Sequence, residues 1–218
     1  MSSLLFITSS PGGRRSYSHQ IARGIVDDLK IREPGMRVVV RDVAKDPLPH
    51  VTDDFASSRA LPPDQRDAVA ARTLALSDAL VAELQAADVI VIAVPMHNFG
   101  IPSALKAWID HIVRPGQTFS YSKQGPRGLV EGKKVVLVLA RGGVYSSGPM
   151  QPFDFQEPYL RTVLGFIGMT DVEIVRIEGL AMGEEAMRSA LTSAKAHAGE
   201  VVRRLGAWHP AEAARAAA

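Results

Sequence analysis

Val89-Ile90-Val91-Ile92-Ala93-Val94-Pro95-Met96-His97-Asn98-Phe99-Gly100-Ile101-Pro102 changes character twice along its length. The opening run of branched apolar residues reads as a strand buried on both faces. Pro95 stops the strand, because it has no N–H for a ladder. Met96 to Phe99 are polar and aromatic rather than turn-forming residues. Pro102 suits a first helical turn, and Ile101, Leu105, Trp108, Ile109 and Ile112 then fall on one helical face. A strand, an exposed loop and a helix in that order form the carboxyl end of a strand in an α/β sheet, where such folds bind ligands. The loop offers backbone N–H and C=O groups and the Asn98 amide beside the Phe99 ring. That set suits a flat heterocycle with a donor/acceptor edge; an ordinary strand-to-helix loop is the competing reading.

The same alternation extends in both directions. Leu4 to Thr8 is a first strand, and Ser16 is a helix cap with Tyr17, Ile21, Ile25 and Leu29 repeating behind it. Pro34-Gly35 ends that helix, Arg37 to Val43 is a second strand, and Lys45 to Ser58 reads as an extended loop. Pro62-Pro63-Asp64 opens a long helix with Val69, Thr73, Leu76, Leu80 and Leu84 on one face. Phe119 to Val130 reads as a hairpin or excursion. Lys134 to Ala140 is a fourth strand and Asp171 to Ile177 a fifth, with Pro152 to Met169 helical between them. Glu184 to Leu205 is a last helix, striped by Met187, Leu191, Ala194, Ala198, Val201 and Leu205. This predicts an α/β, flavodoxin-like, doubly wound five-stranded parallel sheet, order 2-1-3-4-5, with helices on both faces. A single domain is expected over 1–218, its Ala-rich tail from about residue 208 frayed.

Composition narrows the function classes. With 25 Lys+Arg against 23 Asp+Glu, the formal charge is +2, which argues for neither nucleic acid nor an acidic membrane surface. There is no cysteine, so thiolate metal sites, disulfides and cysteine nucleophiles are excluded. Met1 to Ile7 lacks the positive n-region of a signal peptide and its apolar run is too short to span a bilayer; a cytoplasmic location is expected.

In the order 2-1-3-4-5, the loops after Thr8, Val94 and Ala140 meet at the switch point. The first, Ser9 to Ser18, joins a strand to a helix start, where free N–H groups and a partial positive charge attract phosphate. Ser10, Ser16 and Ser18 add hydroxyls. Capping serines after a Gly-rich turn are the competing reading, and the glycines suit a monophosphate rather than a dinucleotide fingerprint. Arg141-Gly142-Gly143 permits close backbone approach to a ligand or makes a tight turn. Phe119 and Tyr121 could wall a planar-substrate pocket together with Phe99, or pack the hairpin. The histidines show no metal spacing, and no catalytic Ser/His/Asp set can be assembled. With no candidate nucleophile, base or metal, the chemistry should belong to a bound cofactor.

Together these loops resemble the FMN-dependent NADH-azoreductases, relatives in fold of the NAD(P)H quinone reductases. The resemblance is strongest at Pro95 to Phe99, Leu105-Lys106, Gly125-Pro126, Gly128-Leu129, Gly132-Lys133-Lys134 and Arg141-Gly142-Gly143. It implies a homodimer with one FMN per subunit and NADH or NADPH as donor. It implies a phosphate held by Ser10, Ser16, Tyr17 and Ser18. The ring edge would be held by Met96, His97, Asn98 and Phe99, with a further contact from Ala140, Arg141, Gly142 and Gly143. Many members carry Tyr in place of His97. Arg14 and Arg15 are a second local variation, expected to be solvated. The implied activity is reduction of quinones and cleavage of aromatic azo compounds by ping-pong hydride transfer. A non-catalytic flavodoxin-like electron carrier is the alternative; carriers of that kind are typically acidic, unlike this chain. A flavin-free regulatory or scaffold domain would require all three loops to be coincidences.

Overall fold

The computed structural model describes residues 2–206. Five parallel strands form the central sheet: β1 (Ser3–Thr8), β2 (Arg37–Asp42), β3 (Val89–Pro95), β6 (Lys134–Ala140) and β7 (Asp171–Ile177). Their order is β2-β1-β3-β6-β7. It differs in numbering from the expected 2-1-3-4-5 because β4 (Phe119–Ser122) and β5 (Gly125–Gly128) pair antiparallel in a separate sheet. The helices are α1 (Tyr17–Arg32), α2 (Asp53–Ser58), α3 (Ala68–Ala86), α4 (Ser103–Ile112), α5 (Glu157–Phe166) and α6 (Glu184–Gly206).

The two faces of the sheet explain the unbroken apolar strands. Leu5, Ile7, Ile90, Ile92, Leu137 and Leu139 point into one core, packed against α3, α4 and α5. Leu4, Phe6, Val89, Val91, Val136 and Val138 point into the other, under α1 and α6. A strand covered on both sides has no polar alternation to show. The central strands β1, β3 and β6 are buried almost throughout, so their carboxyl ends are fixed relative to one another.

Four expectations change. Pro95 does stop the strand, but the third strand, expected over Asp88 to Val94, runs Val89–Pro95, with Pro95 pairing with Ala140 as its last residue. The loop from Lys45 to Ser58 contains α2, capped by the Thr52 hydroxyl accepting from the Phe55 N–H at 3.3 Å. The long helix does not start at Pro62: a 3-10 turn covers Pro63–Gln65, and α3 begins after Asp67, whose carboxylate accepts from the Ala70 N–H at 2.8 Å. Its buried face is Ala70, Leu74, Ser77, Leu80, Val81 and Leu84, leaving Val69 and Leu76 exposed. Pro152 to Met169 is divided into a 3-10 turn over Gly148–Phe153 and α5, with Pro158 in its tolerated first-turn position. The tail from about residue 208 lies outside the described residues.

Candidate functional site

The loop after β1, the end of β3 at Pro95 and the loop after β6 converge on a cavity of about 420 Å³, and the loop after β3 continues from its edge. Each reaches it for a different local reason.

The first loop is tied to β3 by the Ser9 hydroxyl, which donates to the Ala93 carbonyl at 2.9 Å. A 3-10 turn over Gly13–Arg15, entered with φ of +52° at Gly13, then delivers the chain to Ser16. Only glycine adopts that backbone freely. Ser16 is the N-cap of α1 but makes no side-chain capping bond; its Oγ lies 3.0 Å from Ser18 Oγ. The N–H groups of Tyr17, Ser18 and His19 therefore have no acceptor among the described residues. No acidic residue occupies the first turn. An uncapped start of a sixteen-residue helix, with hydroxyls beside it, is a ready anion cradle. The Tyr17 hydroxyl is committed to α6, donating to Met187 Sδ at 3.1 Å.

The middle loop is a tight hairpin, although its tip carries no Asn-Gly or Asp-Gly pair. His97 and Gly100 exchange both backbone hydrogen bonds at 3.0 Å. Asn98 and Phe99 between them have φ of 47° and 71°. Positive φ at both central residues is what a type I′ turn requires, and it is strained for a residue such as Phe. Such strain concentrates at functional sites. The Asn98 and Phe99 N–H groups donate to nothing among the described residues, while the Phe99 carbonyl accepts from the Phe155 N–H at 3.0 Å.

The third loop is zipped to the segment after β7. The carbonyls of Arg141, Gly142 and Gly143 accept from Leu180, Ala181 and Gly179 at 3.2, 2.9 and 3.0 Å. Their acceptors are consumed, and the Gly142 and Gly143 N–H groups have no partner among the described residues. Beneath them lies the Arg141 side chain, fully buried. Its guanidinium meets Asp154 at 2.9 Å, Glu178 at 3.0 Å and Glu157 at 3.6 Å. Burial alone would raise the Glu178 carboxyl, but hydrogen bonds from the Ser146 hydroxyl, the Tyr145 N–H and Arg141 outweigh it and hold it below the ordinary carboxylate value. Glu157 is likewise held low: burial opposes, and the Arg176 and Arg161 side chains prevail.

Of the residues singled out from sequence, the cavity brings together Ser10, Ser16, Tyr17, Ala140, Arg141 and Gly142. Gly12, Arg15, Pro95 and Leu180 line it too. Arg15 is legible as a cation beside a helix start; Leu180 carries no sequence signal. Met96, His97, Asn98 and Phe99 follow directly on Pro95, and Gly143 on Gly142, just outside the lining. Ser18 is buried behind Ser16. Arg14 and Arg15 are both exposed, yet Arg15 borders this cavity and Arg14 a second one of about 630 Å³ across the loop. Phe119 does not wall the cavity. It is 5% exposed and packs on Phe166 with ring centroids 4.6 Å apart, so the hairpin-packing alternative holds. Tyr121 stands beside it, 75% exposed, and is not among the lining residues. Among the described residues no group of His, Asp and Glu could hold a metal ion.

A family profile described as flavodoxin-like fold matches residues 2–202. The FMN-dependent NADH:quinone oxidoreductase of Mesorhizobium japonicum is 46% identical over 200 residues, covering 92% of this chain and 95% of that protein. FMN-dependent NADH:quinone oxidoreductase 1 of Rhizobium etli is 49% identical over 201 residues, covering 92% and 98%. The crystal structure of an azoreductase from Bacillus anthracis superposes with a TM-score of 0.87 at 30% identity, covering 94% of this chain and all of that one.

Proposed function

We propose that this chain, which belongs to the flavodoxin-like family of FMN-dependent NADH:quinone oxidoreductases and azoreductases, uses FMN and NADH to reduce quinones and cleave aromatic azo compounds. The observation that carries the reading is an uncapped helix start lining the cavity, with a second set of free N–H donors at Gly142 in its lining and just beyond it along the chain, at Asn98, Phe99 and Gly143. An uncapped helix start suits a monophosphate, and unpartnered N–H groups on two facing loops suit the electron-rich edge of a flat ring. The residues present fit FMN. Ser10, Ser16, Tyr17 and Ser18 would hold its phosphate, with Arg15 alongside. Met96, His97, Asn98, Phe99 and the Ala140–Gly143 backbone would hold its ring. When bound, FMN supplies hydride exchange: two electrons taken from NADH and delivered to the acceptor.

The chain's own work is orientation and electrostatics. Fixed N–H donors meet developing negative charge without reorganising, which is where such a site gains most. The hairpin leaves Phe99 42% exposed, available to stack an aromatic acceptor. Stacking adds only about 0.5–1.5 kcal/mol beyond burial, so it separates quinones from azo dyes weakly. A quinone takes two electrons, whereas cleaving an azo bond to two amines takes four and a second NADH. Quinones are therefore expected to be reduced faster. The purified protein should be yellow, release FMN and no FAD, and bleach with NADH when no acceptor is present. Steady-state assays with a benzoquinone and a simple azo dye then rank the acceptors. Stoichiometric FAD, or a higher kcat/KM for the dye, would contradict the reading. The relatives' names give no support to the non-catalytic carrier.

A homodimer belongs to the same reading. Phe99, Met150, Phe153 and Phe155 are large apolar side chains left exposed beside the site, and Phe99 and Phe153 are in ring contact at 5.8 Å. A cluster of this kind marks an interaction surface. Sedimentation at micromolar concentration is expected to give about twice the 23.4 kDa chain mass. A fully active monomer would refute it. The reading treats 1–218 as one cytoplasmic domain, supported by the near-complete family match and the use of NADH. No helix among the described residues is long and apolar enough to cross a membrane.

A further inference from the structure

Gln156 has no exposed surface, and both ends of its amide are used. Oε1 accepts from Arg141 Nε at 2.9 Å, and Nε2 donates to the Val94 carbonyl at 3.1 Å. Val94 is the penultimate residue of β3, and Arg141 is the first residue after β6. Beyond these points each strand turns away into a loop. Pro95 can donate no ladder bond, so Met96 is the next residue to do so, to Ala140 at 2.8 Å. The neighbouring Phe155 N–H holds the Phe99 carbonyl. Residues 155 and 156 thus brace both ends of the segment 94–99 and join it to the end of β6.

We propose that Gln156 is a positioning residue for the flavin ring, its amide locking the carboxyl ends of β3 and β6 so that segments 96–99 and 140–143 meet the ring at a fixed separation. This rests on the FMN reading. The amide's neutrality matters as well. Asp154, Glu157 and Glu178 already surround Arg141, and a fourth carboxylate at position 156 would place further negative charge behind the ring edge. Two variants separate the parts. Gln156→Met fills similar space and loses both hydrogen bonds. Gln156→Glu keeps an acceptor for Arg141 Nε but, ionised, loses the donor to Val94.

The full-length variants are compared with wild type by FMN titration, by the midpoint potential of the bound flavin, and by competition of inorganic phosphate for the helix-start cradle. The expected result is an FMN Kd raised about tenfold in both variants, with the phosphate inhibition constant unchanged. The potential should also shift, towards more negative values in Gln156→Glu. General loosening would weaken phosphate and FMN together, and that result overturns the proposal. So does wild-type affinity and potential in a folded variant. Should Gln156→Met fail to fold, the same measurements on Gln156→Glu decide the matter by the same two outcomes. A wild-type protein that binds phosphate but no FMN would instead bring down the flavin reading on which this one stands.

Discussion

Arg141→Met is expected to lower the melting temperature of the apoprotein by roughly 6–20 °C at neutral pH. Removing one member of a buried ion cluster typically costs about 3–5 kcal/mol, and about 2–4 °C accompanies each kcal/mol in a chain of this size. Methionine fills the space of the stem but leaves three carboxylates without their shared cation. They do not suffer equally. Glu157 keeps Arg176 and Arg161, and Glu178 keeps the Ser146 hydroxyl and the Tyr145 N–H. Asp154, whose other oxygen accepts from the Gln156 and Glu157 N–H groups, has only backbone donors left. The pH dependence follows from the direction of the Glu178 shift. Its folded pKa lies below the ordinary 4.5, so its contribution to stability is present above about 4.5 and lost as pH falls through the lower folded value. Part of that depression comes from Arg141. The gap between wild type and variant should therefore narrow on acidification. Calorimetry at pH 7 and pH 4 tests this; an equal gap at both would show that the cluster is not held by charge.

Ser16→Asp should move stability and cofactor affinity in opposite directions. The Ser16 hydroxyl makes no capping bond in the native chain, and the first turn of α1 carries no acid. An aspartate there can accept from an N–H of the first turn and lies at the positive end of the helix dipole. The apoprotein should gain about 0.5–1 kcal/mol, or about 1–4 °C. The same carboxylate takes the donors a phosphate needs and repels it. Two like charges about 4 Å apart near a protein surface cost about 4 kcal/mol, or about a thousandfold in affinity. Flavin titration beside melting of the apoprotein reads both effects. Unchanged FMN affinity would mean that the phosphate does not sit on α1.

The central strands are legible in the sequence because their burial is uniform. Lys134 to Ala140 and Asp171 to Ile177 have the same bounds in the structure, although only the first is an unbroken apolar run after its opening Lys; Glu173 and Arg176 interrupt the second, which is at the edge of the sheet. Residues 62–86 are harder. Alanine appears on every side of α3, so the apolar stripe has no unique phase, and the spacing puts Val69 and Leu76 inside when they lie outside. The short α2 has only Thr52 followed by Asp53-Asp54 to announce it, a cap signal with too little apolar sequence behind it. In the site, Ser16 and the Gly142 backbone can be read from helix-start and strand-end chemistry. Gln156 has no such signature. Its partners, Val94 and Arg141, come from separate strands, and no local spacing marks a side chain whose role is to join them. Phe119 is open to two readings because an aromatic on a short hairpin looks the same whether it faces a ligand or Phe166.

The turn at Asn98 and Phe99 has a bearing on which acceptors the protein can accommodate. Each non-glycine residue in the left-handed region costs about 1–2 kcal/mol, less for Asn, and the surrounding structure must hold it there. Here the restraint comes from the paired bonds of His97 and Gly100 below the tip and from Phe155 beside it. A tip held under tension from several sides does not remould itself to its visitor. Its donors are aimed in advance, and the entropy of ordering them is not lost on binding. Breadth of substrate would then come from what the rigid tip leaves uncovered: flat molecules of many outlines can lie against it, while bulky or puckered ones meet a wall that does not yield.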